Sequence, residues 1–309
     1  MSKKILITGA NGLLGQKLVQ LIPGVEGFQL IATGRGANRN PISKDQPYAY
    51  VQLDITNPDQ VMEVVGREKP DYIIHTAAMT NVDECEEDKE GCWKNNVDAV
   101  RYLIEAAENH QAFFLHLSTD FIFDGAAGPY NEEAEASPVS YYGESKLAAE
   151  RIVRNSSTRW AIARTVLVYG LAHDMSRGNI ILWVKKNLED KKAIQVVNDQ
   201  WRTPTLAEDL AMGCFLIVKN DATGIFNISG KDLLNPYQMA IMAANYFQLD
   251  TSLIVETDGN KFQQKAKRPP KTGFDIRKAE RLLGYTPHSF EEGIEILARQ
   301  LKEIHNSVS

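Results

Sequence analysis

The sequence predicts an α/β fold of the doubly wound type, a parallel sheet wrapped by helices, with a smaller, interleaved C-terminal domain. Three observations carry that expectation. Short β-rich runs alternate with helical patterns through the first half of the chain, the order that builds parallel strands joined by crossover helices. A glycine-spaced turn connects the first of those runs to the first helix. After Gly170 the alternation loosens into shorter elements, with no repeat, low-complexity tract or obvious linker. The later segments are therefore expected to fold against the first half.

Taken in order, Ile5-Leu6-Ile7 reads as strand one and Gly12 to Leu21 as the helix after it. Leu30-Ile31-Ala32 is strand two, Tyr50-Val51-Gln52-Leu53 strand three and Tyr72-Ile73-Ile74-His75 strand four. Ala99 to Ala107 carries Val100, Leu103, Ile104 and Ala107 on one helical face. Phe113 to Leu117 is strand five, Glu144 to Val153 a helix, and Ala161-Ile162-Ala163 with Thr165 to Tyr169 strand six. Beyond Gly170, helices are expected over Ile180 to Leu188 and Leu206 to Val218, and short strands over Ile194 to Val197 and Ile225 to Ile228. Lys265 to Thr272, with Pro269-Pro270 inside it, reads as a basic loop, and Phe290 to Ile304 as an amphipathic C-terminal helix.

A chain of 309 residues can bury a sizeable core, as one large domain or two intimate ones. Its 43% hydrophobic and 24% charged residues are ordinary globular usage and argue against disorder. The formal charge of −6 gives no basic footprint, which argues against nucleic acid as a partner but not against an anionic ligand at a locally positive site. Three cysteines, Cys85, Cys92 and Cys214, are too few and too oddly placed for a disulfide framework or zinc site, and Cys85 and Cys92 read as semi-buried thiols. The apolar run after Lys3-Lys4 lasts three residues, too short for a signal sequence. No stretch approaches the roughly 18 to 20 apolar residues of a membrane span, so a cytoplasmic location is expected.

Thr8-Gly9-Ala10-Asn11-Gly12-Leu13-Leu14-Gly15 lies between strand one and its helix. Gly9 can take the tight turn, Gly12 lets a pyrophosphate approach the backbone, and Gly15 lets helix and strand pack closely, while the helix N-terminus offers free N–H groups to the anion. The spacing is G-x-x-G-x-x-G rather than G-x-G-x-x-G, and at the head of a βαβ unit it points to nucleotide binding on a Rossmann-type sheet. Strand two ends in Ala32-Thr33-Gly34-Arg35, with Arg39 nearby and no acid to take a ribose hydroxyl. That predicts NADPH, with NADH as the alternative should these arginines be merely solvated.

Tyr142-Gly143-Glu144-Ser145-Lys146 places a phenol and an ammonium four apart on one helix face. A nearby cation stabilises a phenolate, which otherwise forms only near pH 10. The pair opens the helix after strand five, and Leu117-Ser118-Thr119-Asp120 closes that strand. Tyr141 is the rival phenol, five residues before the lysine and off its face.

With the glycine loop, His75-Thr76-Ala77-Ala78, Ser118-Thr119-Asp120 and Tyr142-x-x-x-Lys146 in this order, the chain resembles the extended short-chain dehydrogenase/reductase superfamily over essentially its whole length. Ser118 to Gly125, Asn198-Asp199-Gln200 with Pro204-Thr205, and Arg268-Pro269 are similar to the dTDP-4-dehydrorhamnose reductase family. The resemblance implies Tyr142 as general acid, Lys146 as holder of the nicotinamide ribose and depressor of the Tyr142 pKa, and Thr119 as a partner of the same substrate oxygen. It implies Ser118, Ala77 and Ala78 along the cofactor channel, Asp54-Ile55 at the adenine, and Asp120 and Phe121 on the substrate side. Asn11, Leu13 and Leu14 belong to the cofactor loop. Arg202 and Arg268 are candidates for a nucleotide-sugar diphosphate, with ordinary surface arginines as the competing reading. Lys265, Lys267 and Lys271 would add a positive rim, and Asn96, Asn179 and Trp201 would lie near the site.

Two departures fall on the substrate side. Phe121 stands where the family has tyrosine, and Val166-Leu167 where a tryptophan would follow Arg164-Thr165. The implied activity is NADPH-dependent reduction of a 4-keto group on a nucleotide-linked deoxysugar, foremost dTDP-4-dehydro-L-rhamnose, with no metal assigned. Alternatives are an epimerase on the same scaffold, or a non-catalytic NADP-binding subunit such as the β subunit of methionine adenosyltransferase, which is similar to these reductases. The expected division puts residues 1–170 and roughly 205–228 in the NADP-binding domain, and roughly 171–204 and 229–309 in a substrate-binding cap. A homodimer is the base-rate expectation.

Overall fold

The computed structural model describes residues 2–40, 47–173, 178–261 and 265–308. In the first half, β1 (Lys3–Thr8), α1 (Leu13–Leu21), β2 (Phe28–Gly34), β3 (Ala49–Gln52), α2 (Pro58–Glu68) and β4 (Tyr72–His75) follow in turn. Two short helices come next, α3 (Val82–Glu87) and α4 (Lys89–Trp93), and then α5 (Ala99–His110), β5 (Phe113–Thr119), α6 (Tyr141–Arg154) and β6 (Trp160–Thr165). The later elements are β7 (Val168–Tyr169), α7 (Ile180–Glu189), β8 (Ile194–Val197), β9 (Thr205–Leu206), α8 (Ala207–Lys219), β10 (Gly224–Asn227), α9 (Pro236–Tyr246), β11 (Ile254–Thr257), α10 (Arg277–Leu283) and α11 (Phe290–Val308).

Seven strands form one parallel sheet in the order β10-β6-β5-β4-β1-β2-β3. β1 lies between β2 and β4, so the strand order reverses at the loop after β1, where such sheets open a crevice at their C-terminal ends. Alternation along each strand divides the core between the two faces. Ile5, Ile7, Phe113, Leu115 and Ala163 pack on one face with α8 residues such as Leu210 and Cys214. Leu6, Ile73, Phe114 and Ile162 pack on the other with Val61, Val65, Val100 and Leu103 of α2 and α5. A third cluster joins Ile181 and Val184 of α7, Ile194 and Val196 of β8, Met239 and Ala243 of α9, and Leu297 of α11.

Most expected elements are present, and their edges move for local reasons. α6 begins at Tyr141 rather than Glu144 because Ser140 caps it, its hydroxyl accepting from Gly143 N at 3.3 Å. β2 runs on to Gly34 and so delivers Arg35 directly from the sheet. The expected sixth strand does not run through to Tyr169. Leu167 has a φ of 37°, which breaks the extended chain; β6 stops at Thr165, and Val168–Tyr169 pairs with Thr205–Leu206 in a separate small sheet. α2, with its Asn57 cap and Pro58, and α9, with an Asn235/Gln238 capping box and Pro236, are helices beyond those expected, as are the short α3, α4 and α10. Phe274 to Tyr285, expected with the cap, pack into the sheet-side core against α8 residues. All three cysteines are free and fully buried rather than semi-buried.

Candidate active site

The glycine loop is built as its spacing requires. Gly9 has a φ of +73°, and a Cβ on Gly15 would lie 2.2 Å from Gly9 O and 2.6 Å from Ala10 Cα. Only glycine lets α1 start this close to the strand end. Gly12, at the helix N-cap, offers no side-chain cap, and the first turn of α1 has no acid, so its amides remain available to an anion. Asn11 ties the loop to the segment after β2: its Nδ2 donates to Ala37 O at 3.0 Å and to Tyr50 Oη at 3.1 Å, and its Oδ1 accepts from Arg39 N at 2.9 Å. That clamp holds Arg35 and Arg39, both exposed, beside the glycine loop. Asp54 sits close enough to Arg35 to feel its charge, and its Oδ1 accepts from Thr56 N and Oγ1. Ile55 is buried beneath it, and Ala77 and Ala78 are half-buried after β4.

β5 is buried along its full length and ends in Ser118-Thr119, with Asp120 opening the turn that follows. The Thr119 hydroxyl accepts from Phe121 N at 3.2 Å and donates to Asp120 Oδ1 at 3.1 Å. Asp120 is sealed from solvent; Thr272 Oγ1 donates to its Oδ2, and Arg202 Nε lies 3.5 Å from the same oxygen. Burial raises the Asp120 carboxyl, with Arg202 as the main opposing charge. Ser118 Oγ is buried without a partner among the described residues, an unspent hydroxyl at the sheet's C-terminal edge.

Tyr142 and Lys146 occupy the buried face of α6, as their spacing predicts. Tyr141 points elsewhere: its backbone N donates to Glu86, and its ring stands 6.4 Å from that of Trp93. Burial pushes the Tyr142 phenol well above 10, and the adjacent Thr119 hydroxyl opposes that rise. Lys146 stands one helical turn along from that phenol on the same buried face. The ammonium turns to the sheet, donating to Leu117 O at 2.6 Å and lying 3.3 Å from His116 Nε2, and burial brings Lys146 down to about 8. Phe121 packs edge-on against Tyr142 with ring centroids 5.8 Å apart.

The two arginines differ. Arg202 is no surface residue; at 5% exposure it spends its guanidinium on Asp120 and on the carbonyls of Trp201, Pro269 and Pro270. It is an internal strut, not a free diphosphate ligand. Arg268 grips Asp83 of α3 at both oxygens, 3.1 and 2.8 Å. Lys265 pairs with Glu87, so acids of α3 offset the expected positive rim at these two positions. Trp201 and Lys271 form a backbone bridge under that strap. Asn96 is a packing clamp: on a π-helical turn, its side chain bonds Met79 N and O and Ser145 Oγ at 2.8 to 3.0 Å. Asn179, Ile180, Trp183, Val197 and Pro236 line a pocket of about 450 Å³, and Leu167 and Asn179 line a smaller one beside it.

Sequence reasoning missed Thr272, Asp83 and His116. His116 was within reach, since it shares a strand face with Ser118 two residues on. Thr272 and Asp83 were not, because each meets its partner from more than 150 residues away.

The glycine loop at a strand-order reversal and a buried Tyr-x-x-x-Lys helix beside Ser118-Thr119 define an extended short-chain dehydrogenase/reductase. Within that class, the chain belongs to the family described as RmlD substrate binding domain, which matches residues 3–303. It is 28% identical over 304 residues to a dTDP-4-dehydrorhamnose reductase of Aggregatibacter actinomycetemcomitans, covering 94% of this chain and 97% of that one. It is 31% identical over 291 residues to a dTDP-4-keto-6-deoxy-D-glucose reductase of Streptomyces niveus, covering 93% of each. The crystal structure of a dTDP-4-dehydrorhamnose reductase from Bacillus anthracis in complex with NADP superposes with a TM-score of 0.83 at 26% identity, covering 97% of this chain and 100% of that one. No helix among the described residues is long and apolar enough to cross a membrane.

Proposed function

We propose that the chain reduces the 4-keto group of a dTDP-linked 6-deoxysugar with NADPH. The observation that carries this reading is the juxtaposition of Tyr142 with Thr119 at the end of β5, backed by the buried ammonium of Lys146. The cradle fits the cofactor: a glycine turn that a Cβ would fill, uncapped amides at α1, the orphaned Ser118 hydroxyl, and Arg35 and Arg39 for a 2′-phosphate. When bound, the reduced nicotinamide supplies a hydride to a carbonyl carbon.

The chain's own residues do the rest. A phenol held above 10 by burial is fully protonated at neutral pH, the state a proton donor needs. Tyr142 Oη gives its proton to the oxygen that gains negative charge as the carbonyl is reduced. The buried charge of Lys146, one helical turn away, then favours the phenolate left behind. Thr119 supports the same oxygen once its hydrogen leaves Asp120. Phe121 presents an apolar edge to the sugar, and the cleft with Asn179 and Trp183 supports docking of the nucleotide base. Arg268, the more accessible of the two arginines, is the better placed for the diphosphate.

Loss of NADPH absorbance with a panel of dTDP-4-keto-6-deoxysugars tests the reading. Turnover is expected, with NADPH preferred to NADH. Tyr142→Phe should lower kcat by about 100- to 10,000-fold, the usual contribution of a positioned acid. NADPH binding without turnover on any sugar would overturn it in favour of a non-catalytic subunit.

A further inference from the structure

A row of polar side chains crosses the otherwise apolar sheet interior. In strand register Thr8 lies beside His75, and His75 beside His116. All three are sealed from solvent on the face where Leu6, Ile73 and Phe114 form the core two residues earlier. Thr8 Oγ1 is 2.7 Å from His75 Nδ1, the two imidazoles stack with centroids 5.6 Å apart, and His116 Nε2 reaches Lys146 Nζ at 3.3 Å. The row therefore ends on the ammonium behind Tyr142.

We propose that His116 is a positioning residue whose neutral imidazole accepts a hydrogen bond from Lys146 through Nε2, holding the lysine behind Tyr142 and favouring its charged form. The inference rests on the reductase reading for what Lys146 does. Burial opposes the ammonium, while Glu150 on its own helix and Cys92 on α4 support it. From β5 it has the Leu117 carbonyl and His116. His116 stays neutral because burial, and then the charge of Lys146, hold its pKa well below 6.5. His75, from β4, is held to about 3 by burial and by Lys146. An acceptor at Nε2 places the His116 proton on Nδ1, and that nitrogen is buried with no partner among the described residues. An unpaired buried donor carries a cost, which the bond from Lys146 to Nε2 must offset.

Two measurements test this. Nitrogen-15 NMR of histidine-labelled protein should show His116 as the neutral Nδ1–H tautomer from about pH 6 to 8, reverting to Nε2–H in Lys146→Met. The pH profile of kcat/KM with NADPH and a dTDP-4-keto-6-deoxysugar should lose activity on its alkaline side at a pH about one unit lower in His116→Leu, a roughly tenfold change in proton concentration. His116→Gln, which keeps an acceptor, should restore the limb. A structural role alone would lower activity evenly at every pH and move no limb. An Nε2–H tautomer in the unaltered protein, or unmoved limbs in both variants, overturns the proposal. Should no ketosugar turn over, the tautomer still decides the contact, so its failure and that of the reductase reading stay distinct. The unaltered protein also serves if His116→Leu fails to fold.

Discussion

Arg202 lays its guanidinium against Asp120, Nε 3.5 Å from Oδ2, with both side chains nearly sealed from solvent. The same guanidinium holds the carbonyls of Pro269 and Pro270, and Asp120 also takes the hydroxyls of Thr119 and Thr272. One buried ion pair thus fastens the strand end that carries Thr119 to the segment that carries Arg268.

Removing one partner of such a pair strands the other charge in a dry site. Asp120→Asn, nearly isosteric, should lower stability by about 3 to 5 kcal/mol in urea unfolding. Adding Arg202→Met to it should recover part of that loss. An additive loss in the double variant would show that the two side chains are not coupled.

Arg268 spends two donors on Asp83, at 20% and 35% side-chain exposure, so a diphosphate must compete with that carboxylate. Asp83→Asn should therefore lower KM for the dTDP-sugar with kcat little changed. A partly exposed pair is worth about 0.2 to 1 kcal/mol, which limits the gain to roughly fivefold. If KM rises instead, Asp83 orients Arg268 for the substrate rather than withholding it.

These pairs also show where the sequence was legible. The sheet could be read because its cues are local: Ile5 to Ile7 and Phe113 to Leu117 are apolar runs, and Tyr142 and Lys146 carry their own helical spacing. The glycine loop was legible for the same reason. The strand six boundary was not, because the break comes from a leucine at positive φ, which no turn residue announces. Arg202 looked like an anion ligand because its burial depends on Asp120 and the Pro269-Pro270 turn, which are distant in the chain. The anchoring of Lys146 by Leu117 O and His116 was not legible either, because both reach it from β5, about 30 residues earlier in the chain.

Gly15 makes the cradle's requirement measurable. A methyl there would sit 2.2 Å from Gly9 O, and both neighbours are backbone, so the loop itself must move. Gly15→Ala should cost about 1 to 3 kcal/mol of stability. It should also weaken NADPH binding at least about tenfold by fluorescence titration, since the shifted amides no longer converge on one anion. Unchanged affinity would place the pyrophosphate elsewhere.

Lys146 should be destabilising for the fold at neutral pH. Its pKa falls from the ordinary 10.5 to about 8 because burial penalises the charged form, a difference of about 3 kcal/mol. Below about pH 8 both folded and unfolded chains carry the proton, and the folded state bears the full cost of burying it. Between about 8 and 10.5 the unfolded chain binds more proton than the folded one, so stability rises with pH through that window. Lys146→Met keeps the volume and removes the charge. At pH 7 it should be about 1 to 3 kcal/mol more stable than the unaltered protein while losing reductase activity, and the advantage should shrink as the pH approaches 10.5. Urea unfolding at pH 7 and pH 9.5 reads both effects. A variant less stable at pH 7 would mean that the bonds to Leu117 O and His116 outweigh the burial of the charge.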